Sequence, residues 1–195
     1  MIDLNLNKEF LGKKIIVTGA SRGLGAVTCE ILANKGAELV MLSRSKKVMD
    51  NLRKKFKNPN KHTAFKIDLL KNNKIKPVIN KAKKFLKKID IVIHAAGGGL
   101  GLKKSLIDNG DLNTIFQANL GAAAEINKCL IKLKKNKDTL HLVHVGSIAS
   151  TEAVGSVGYN VVKSALSAYV KSIGRELYKN NIIASGILPG GFIAK

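Results

Sequence analysis

The sequence predicts an α/β fold with a doubly wound parallel sheet, and three observations lead there. Short apolar runs alternate with helical patterns along almost the whole chain. The runs are rich in β-branched residues and bounded by turn residues, as buried parallel strands are. The first run, Ile15-Ile16-Val17, leads into a glycine-rich turn, Thr18-Gly19-Ala20-Ser21-Arg22-Gly23-Leu24-Gly25, which opens a helical pattern. Alternation of this kind requires right-handed crossovers. Helices are therefore expected on both faces of about six strands in the order 3-2-1-4-5-6, a Rossmann-like arrangement.

In chain order the candidate strands are Lys14–Thr18, Glu38–Leu42, His62–Lys66, Asp90–His94, Thr139–Val145 and Ile182–Leu188. Helical patterns lie near 24–35, 46–57, 72–87, 105–135 and 157–180. Pro59 falls in the loop after the second helix, and Pro77 sits early in the third, where a first turn tolerates proline. Gly121, inside the long fourth pattern, predicts a local irregularity. No repeat, linker or low-complexity tract interrupts the chain, so one dinucleotide-binding domain is expected over residues 1–195, long enough to bury a large core.

Composition narrows the function classes. Met1 to Lys14 holds charged residues and no continuous apolar segment, unlike a secretory signal, and no apolar run has bilayer-spanning length. Cys29 and Cys129 lack ligand-like spacing and sit among apolar neighbours, so buried free thiols, no metal, and a reducing cytoplasmic setting are expected. The formal charge of +21 raises nucleic acid or an anionic membrane as partners. Against this, only Arg22, Arg44, Arg53 and Arg175 are arginines, and the lysine pairs are spread along predicted helix faces and ends. Aromatic interleaving for base stacking is missing. A solvated lysine surface, with no nucleic-acid or membrane partner, is the preferred reading.

Ligands in such folds bind at the carboxyl ends of the strands, where strand order reverses. The residues there are Gly19 to Gly25, Ser43-Arg44, Asp68, Ala95 to Gly99, Ser147 and Pro189-Gly190. The glycine turn lets backbone approach a ligand, and the free N–H groups at the helix start favour an anion. Its spacing is looser than the usual dinucleotide fingerprint and lacks the lysine of a P-loop. Tyr159 and Lys163, four apart at a helix start, share one face. A lysine ammonium beside a phenol stabilises the phenolate, which suits acid–base exchange with a carbonyl or alcohol. Ser147, at the adjacent strand end, is placed to hydrogen-bond the same oxygen.

These motifs, in this order and at this spacing, resemble the short-chain dehydrogenase/reductase family of the classical type. The resemblance runs from about Lys13 to Phe192 and includes the glycine turn, Asp68, Ala96-Gly97, Asn119, Ser147, Tyr159 with Lys163, and Pro189-Gly190. It implies that Tyr159 donates or accepts the proton and that Ser147 polarises the carbonyl. Lys163 would bind the nicotinamide ribose and tune Tyr159, and Asn119 would hold a water in a proton relay. Asp68 would meet the adenine edge, and Pro189-Gly190 would border the nicotinamide. The cofactor-binding set is Gly19, Ser21, Arg22, Gly23, Leu24, Gly25, Arg44, Asp68, Ala96, Gly97, Tyr159, Lys163, Pro189 and Gly190. His94-Ala95 departs from the paired asparagines usual before the Ala-Gly, and His94 is read as structural.

An acidic residue after the second strand would bind ribose hydroxyls and repel a 2′-phosphate. Ser43-Arg44-Ser45 stands there instead, with Arg22 close by in the turn. Two guanidiniums suit a phosphate monoester, so NADP(H) is expected over NAD(H). The leading function is interconversion of a carbonyl and a secondary alcohol by hydride transfer, on a small molecule or a carrier-bound acyl group. Within the family the resemblance is to reductases of 3-oxoacyl groups on acyl carrier protein, and it implies a homo-oligomer. A dinucleotide-binding module with little or no catalysis, and a polyanion binder, stay open as alternatives.

Family members usually continue past the Pro-Gly through a substrate-covering loop, a helix and a last strand. The sequence ends at Lys195, so the sixth strand is expected at an exposed sheet edge. Three explanations are a short member closed by its partner subunit, a piece of a longer reading frame, and a degraded relative. The intact Asn119, Ser147, Tyr159 and Lys163 favour the first two.

Overall fold

The structure is a computed structural model that describes residues 9–191. Phe192, where the resemblance ends, and residues 1–8 of the segment read against a secretory signal lie outside them. Six parallel strands form one sheet: β1 (Lys14–Thr18), β2 (Glu38–Ser43), β3 (Thr63–Lys66), β4 (Ile91–His94), β5 (Leu140–Val145) and β6 (Ile182–Ile187). Their order is β3-β2-β1-β4-β5-β6, as the strand–helix alternation predicts. The chain therefore reverses its direction of travel across the sheet between β1 and β4. Several strand ends differ from expectation by a residue, and beside two of them a side chain bonds to the neighbouring strand. His62 Nδ1 accepts from Leu39 N–H at 3.3 Å, and Asp90 accepts from Lys14 N–H at 2.9 Å.

Helices α1 (Gly23–Asn34) and α2 (Lys46–Arg53) cover one face. Their Cys29, Leu32, Ala33 and Met49 pack on Ile15, Val17, Leu39 and Met41. The other face carries α3 (Ile75–Leu86), α4 (Asn109–Phe116), α5 (Ala122–Leu133) and α6 (Val157–Leu177). There Ile79, Ile126 and Leu130 meet Ile16, Val92 and Leu142. Both thiols are free and buried, and burial pushes Cys29 up to about 12.

Four helices depart from their expected spans, and the last of them ends at Leu177 before a short 3₁₀ turn, Tyr178–Asn180. The second stops at Arg53, four residues early, because the chain turns to bury Phe56, which meets the His62 ring edge-on at 5.4 Å. The fourth starts only at Asn109, where Asp108 caps it by accepting from Asp111 N–H at 2.9 Å. It then divides: residues Gln117–Gly121 form a π turn between α4 and α5, the irregularity Gly121 foretold. The third begins at Ile75, after a short 3₁₀ turn. β6 lies at the sheet edge among the described residues, with Ile183 and Ile187 exposed.

A polar cluster sits inside the half of the sheet that holds β4 and β5. His94 and His144 are register partners, and their rings stack with centroids 4.5 Å apart. Asn127 of α5 joins them: its Oδ1 lies 2.8 Å from His94 Nε2, and its Nδ2 lies 3.3 Å from His144 Nε2 and 3.2 Å from Tyr169 Oη. His94 is therefore structural, as read from the sequence. Burial penalises a charged ring, so His94 is lowered to about 4, with the Asn127 hydrogen bond opposing the shift. Burial, then the proximity of His94 and Lys163, lowers His144 to about 2.

The unfolded chain protonates such histidines near pH ~6.5 while the folded chain does not. Their contribution to stability is thus complete above that pH and is lost as pH falls toward 4. Urea unfolding should show stability dropping between pH 7 and 4.5, with roughly 2–3 kcal/mol of the drop owed to His94. His94→Asn should flatten that slope; an unchanged slope would contradict the assignment.

Candidate active site

The carboxyl ends of the strands open onto a cleft of about 800 Å³. Ser21 to Gly25, Arg44, Asp68, Ala96, Gly97, Ser147, Tyr159, Lys163, Pro189 and Gly190 all line it, together with Gly19. Asn119 does not; it stands behind the glycines of the loop after β4.

At one end of the cleft the turn after β1 feeds α1. Gly19 has φ +68°, and a Cβ there would lie 2.8 Å from Ala96 N and 2.9 Å from the Ala95 carbonyl. Ala96 N–H also donates to Thr18 Oγ1 at 3.2 Å. The loops after β1 and β4 therefore pack backbone to backbone. A Cβ on Gly25 would run into the Gly19 carbonyl, so the first turn of α1 sits directly on the loop. No side chain caps the start of α1 and no acid lies in its first turn. Its free N–H groups and helix dipole face the cleft, a setting that favours an anion.

Arg22 and Arg44 flank this end, both exposed. Neither guanidinium makes a hydrogen bond or ion pair among the described residues, so both are available to a ligand. Ser43 Oγ accepts from Ser45 N–H at 3.1 Å and shapes the turn that presents Arg44. Asp68 lies on the same wall, where Oδ1 accepts from Leu70 N–H at 3.1 Å. That Asx turn still leaves its other oxygen without a partner among the described residues.

At the other end stand Ser147, Tyr159 and Lys163. Ser147 Oγ accepts from Ala149 N–H at 3.1 Å, which leaves the hydroxyl hydrogen to donate elsewhere. Ser164 Oγ donates to Ser150 O at 2.8 Å, tying α6 to the segment that carries Ser147. Asn160 grips Gly155 through both its N–H and its carbonyl, at 3.0 and 3.2 Å, and steadies the loop leading into Tyr159. Lys163, one turn on from Tyr159, is 4% exposed and donates to Val145 O at 3.0 Å. Its Nζ lies 5.5 Å from the Tyr159 ring centroid. Burial lowers the ammonium to about 8, so it remains mostly charged at neutral pH.

The Asn119 side chain is fully engaged. Its Oδ1 accepts from Gly98 N–H at 2.9 Å, and its Nδ2 donates to Gly98 O at 3.0 Å and Ile115 O at 2.9 Å. A Cβ on Gly97 would fall 2.5 Å from Asn119 Oδ1 and 3.7 Å from Lys163 Nζ. Asn119, set in the π turn, thus fixes the loop that closes over Lys163. Sequence reading did not single out Leu70, Leu100 or Ala118, which also line the cleft. Leu100 follows three glycines after β4, the one local signal that marked it.

The model of the family described as short chain dehydrogenase matches residues 13–194. A 3-oxoacyl-[acyl-carrier-protein] reductase of Salmonella typhimurium is 24% identical over 183 residues, 93% of this chain and 74% of that one. A short chain dehydrogenase of Burkholderia cenocepacia, solved in complex with NADP, superposes with a TM-score of 0.84 at 20% identity, over 95% of this chain and 76% of that one. A provisionally assigned D-mannonate oxidoreductase of Haemophilus influenza with bound NAD superposes with a TM-score of 0.85, also at 20% identity, over 96% and 74%. Among the described residues no helix is long and apolar enough to cross a membrane.

Proposed function

The chain belongs to the short chain dehydrogenase family, and on that premise we propose that it interconverts a carbonyl and a secondary alcohol with NADP(H). One observation carries the reading. A single cleft joins an uncapped helix start with two unpaired arginines to a serine, a tyrosine and a buried lysine.

The residues divide the work by position. The backbone at the start of α1 would hold the pyrophosphate, while Gly19 and Gly97 let the loops after β1 and β4 pack against Ala95, Ala96 and Asn119. A dinucleotide bound there would supply the hydride that the carbonyl carbon takes up. Ser147 donates its free hydroxyl hydrogen to the carbonyl oxygen and stabilises the charge that grows on it. Tyr159 gives its phenolic proton to that oxygen, completing the alcohol. Lys163, held by Val145 O, keeps a positive charge beside the phenolate left behind. In the oxidative direction each proton moves back along the same path.

Cofactor choice rests on this chain's own residues, since the structures it resembles hold NADP in one case and NAD in another. No carboxylate follows β2. Arg44 and Arg22 both line the cleft, and two guanidiniums suited to a phosphate monoester support NADP(H). The substrate carbonyl belongs to a small molecule or to an acyl group delivered by an acidic carrier, to which a surface with formal charge +21 is complementary.

Steady-state kinetics on a ketone panel test the mechanism. Tyr159→Phe should lower kcat by about 10²–10⁴-fold while leaving NADPH affinity nearly unchanged; undiminished turnover would reject the assigned acid–base role. NADPH binding with no turnover by the native chain would instead favour a dinucleotide-binding module. In the same assays the native chain should prefer NADPH to NADH, and Arg44→Ala should erase about tenfold or more of that preference. Equal efficiency of the native chain with both cofactors would contradict the arginine assignment.

A further inference from the structure

The loop after β4 runs Gly97-Gly98-Gly99-Leu100-Gly101. Asn119 clamps Gly98 by both its N–H and its carbonyl, so the start of the loop is anchored. Next, Leu102 N–H donates to Gly99 O at 2.9 Å and closes a four-residue turn. Its two central residues, Leu100 and Gly101, have φ of +54° and +77°. Positive φ at both positions is the pattern of a type I′ turn, which glycine, asparagine and aspartate adopt readily. A leucine there is strained, because its Cβ crowds the neighbouring carbonyl.

Packing does not explain the choice. A Cβ at Gly98, Gly99 or Gly101 would meet nothing within 4 Å, so the turn stands in open space. Leu100 itself is 46% exposed. An asparagine or glycine would relieve the backbone and remove an exposed apolar surface together. The strained position also lines the cleft that holds Ser147 and Tyr159. The long aliphatic side chains Leu24, Ile67, Leu69 and Leu70 also line the cleft, from the half of the sheet that holds β1, β2 and β3. From the half that carries Ser147 and Tyr159, Leu100 is the one leucine or isoleucine among the described lining residues. Strain kept at a cleft points to a task there.

We propose that Leu100 determines specificity: its side chain is the wall against which the aliphatic portion of the substrate packs. The substrate class is then a carbonyl, or the matching secondary alcohol, joined to an apolar chain. This rests on the carbonyl-reduction reading above. Asn119 sets the position of that wall relative to Lys163 through Gly97 and Gly98.

The test compares the native chain with Leu100→Asn and Leu100→Gly, both of which suit the turn. With NADPH, kcat/KM is measured for acetone and for medium-chain methyl ketones. The native chain should favour the longer ketones by about tenfold or more. Both variants should lose most of that preference, through a lower kcat/KM for the longer ketones, and melt no lower than the native chain. Retention of the preference in both variants, or its absence in the native chain, overturns the proposal for Leu100 alone. If no ketone is reduced although NADPH raises the melting temperature, the carbonyl-reduction reading falls and Leu100's role falls with it.

Discussion

The close approach of two backbone loops, after β1 and after β4, organises everything at the cleft. Gly19 meets Ala95 and Ala96 with no space for a Cβ, and Thr18 takes the Ala96 N–H. The contact spans the place where strand order reverses, so it sets the floor of the crevice. On one side it orients the first turn of α1 and its free N–H groups. On the other it leads through Gly97 to Asn119 and Lys163. A bulkier residue at 19 would push the two halves apart and separate the start of α1 from Lys163 and Tyr159.

The two halves of the sheet are stabilised differently. Around β1 and β2 the interior is aliphatic, with Ile15, Leu39, Met41 and Met49 fully buried. Around β4 and β5 the interior holds His94, His144, Asn127 and Tyr169 in one hydrogen-bonded and stacked cluster. Such a cluster specifies one arrangement of its members, because each buried polar atom needs its partner. It fixes the register of β4 against β5, hence the relation between the loop at Gly97 and the segment at Ser147. His144 Nδ1 is buried with no partner among the described residues, which ties the cluster's stability to a neutral ring.

Much of this was legible in the sequence because the informative residues are local. A glycine turn between strand and helix, a missing acid after the second strand, and a tyrosine and lysine four apart each carry their meaning within a few positions. Alternation announced parallel strands with helices on both faces, and the strand order came with the Rossmann-like fold class. What escaped reading depends on contacts across the fold. The end of the second helix is decided by Phe56 finding His62. The histidine pair exists only because β4 and β5 align His94 with His144. The resemblance marks Asn119 for a water relay, but its grip on Gly98 shows only once the π turn is seen. Leu100 needed a dihedral angle to stand out from its glycine neighbours.

The chemistry proposed for this cleft is direct hydride transfer. The measurement that meets it most directly follows deuterium from NADPH labelled on one or the other face of the nicotinamide's hydride-donating carbon. With a reducible ketone, one of the two labelled forms should place deuterium on the carbinol carbon of the alcohol, and the other should not. Alcohol without deuterium from either form, or NADPH consumed with no alcohol produced, would contradict the claim.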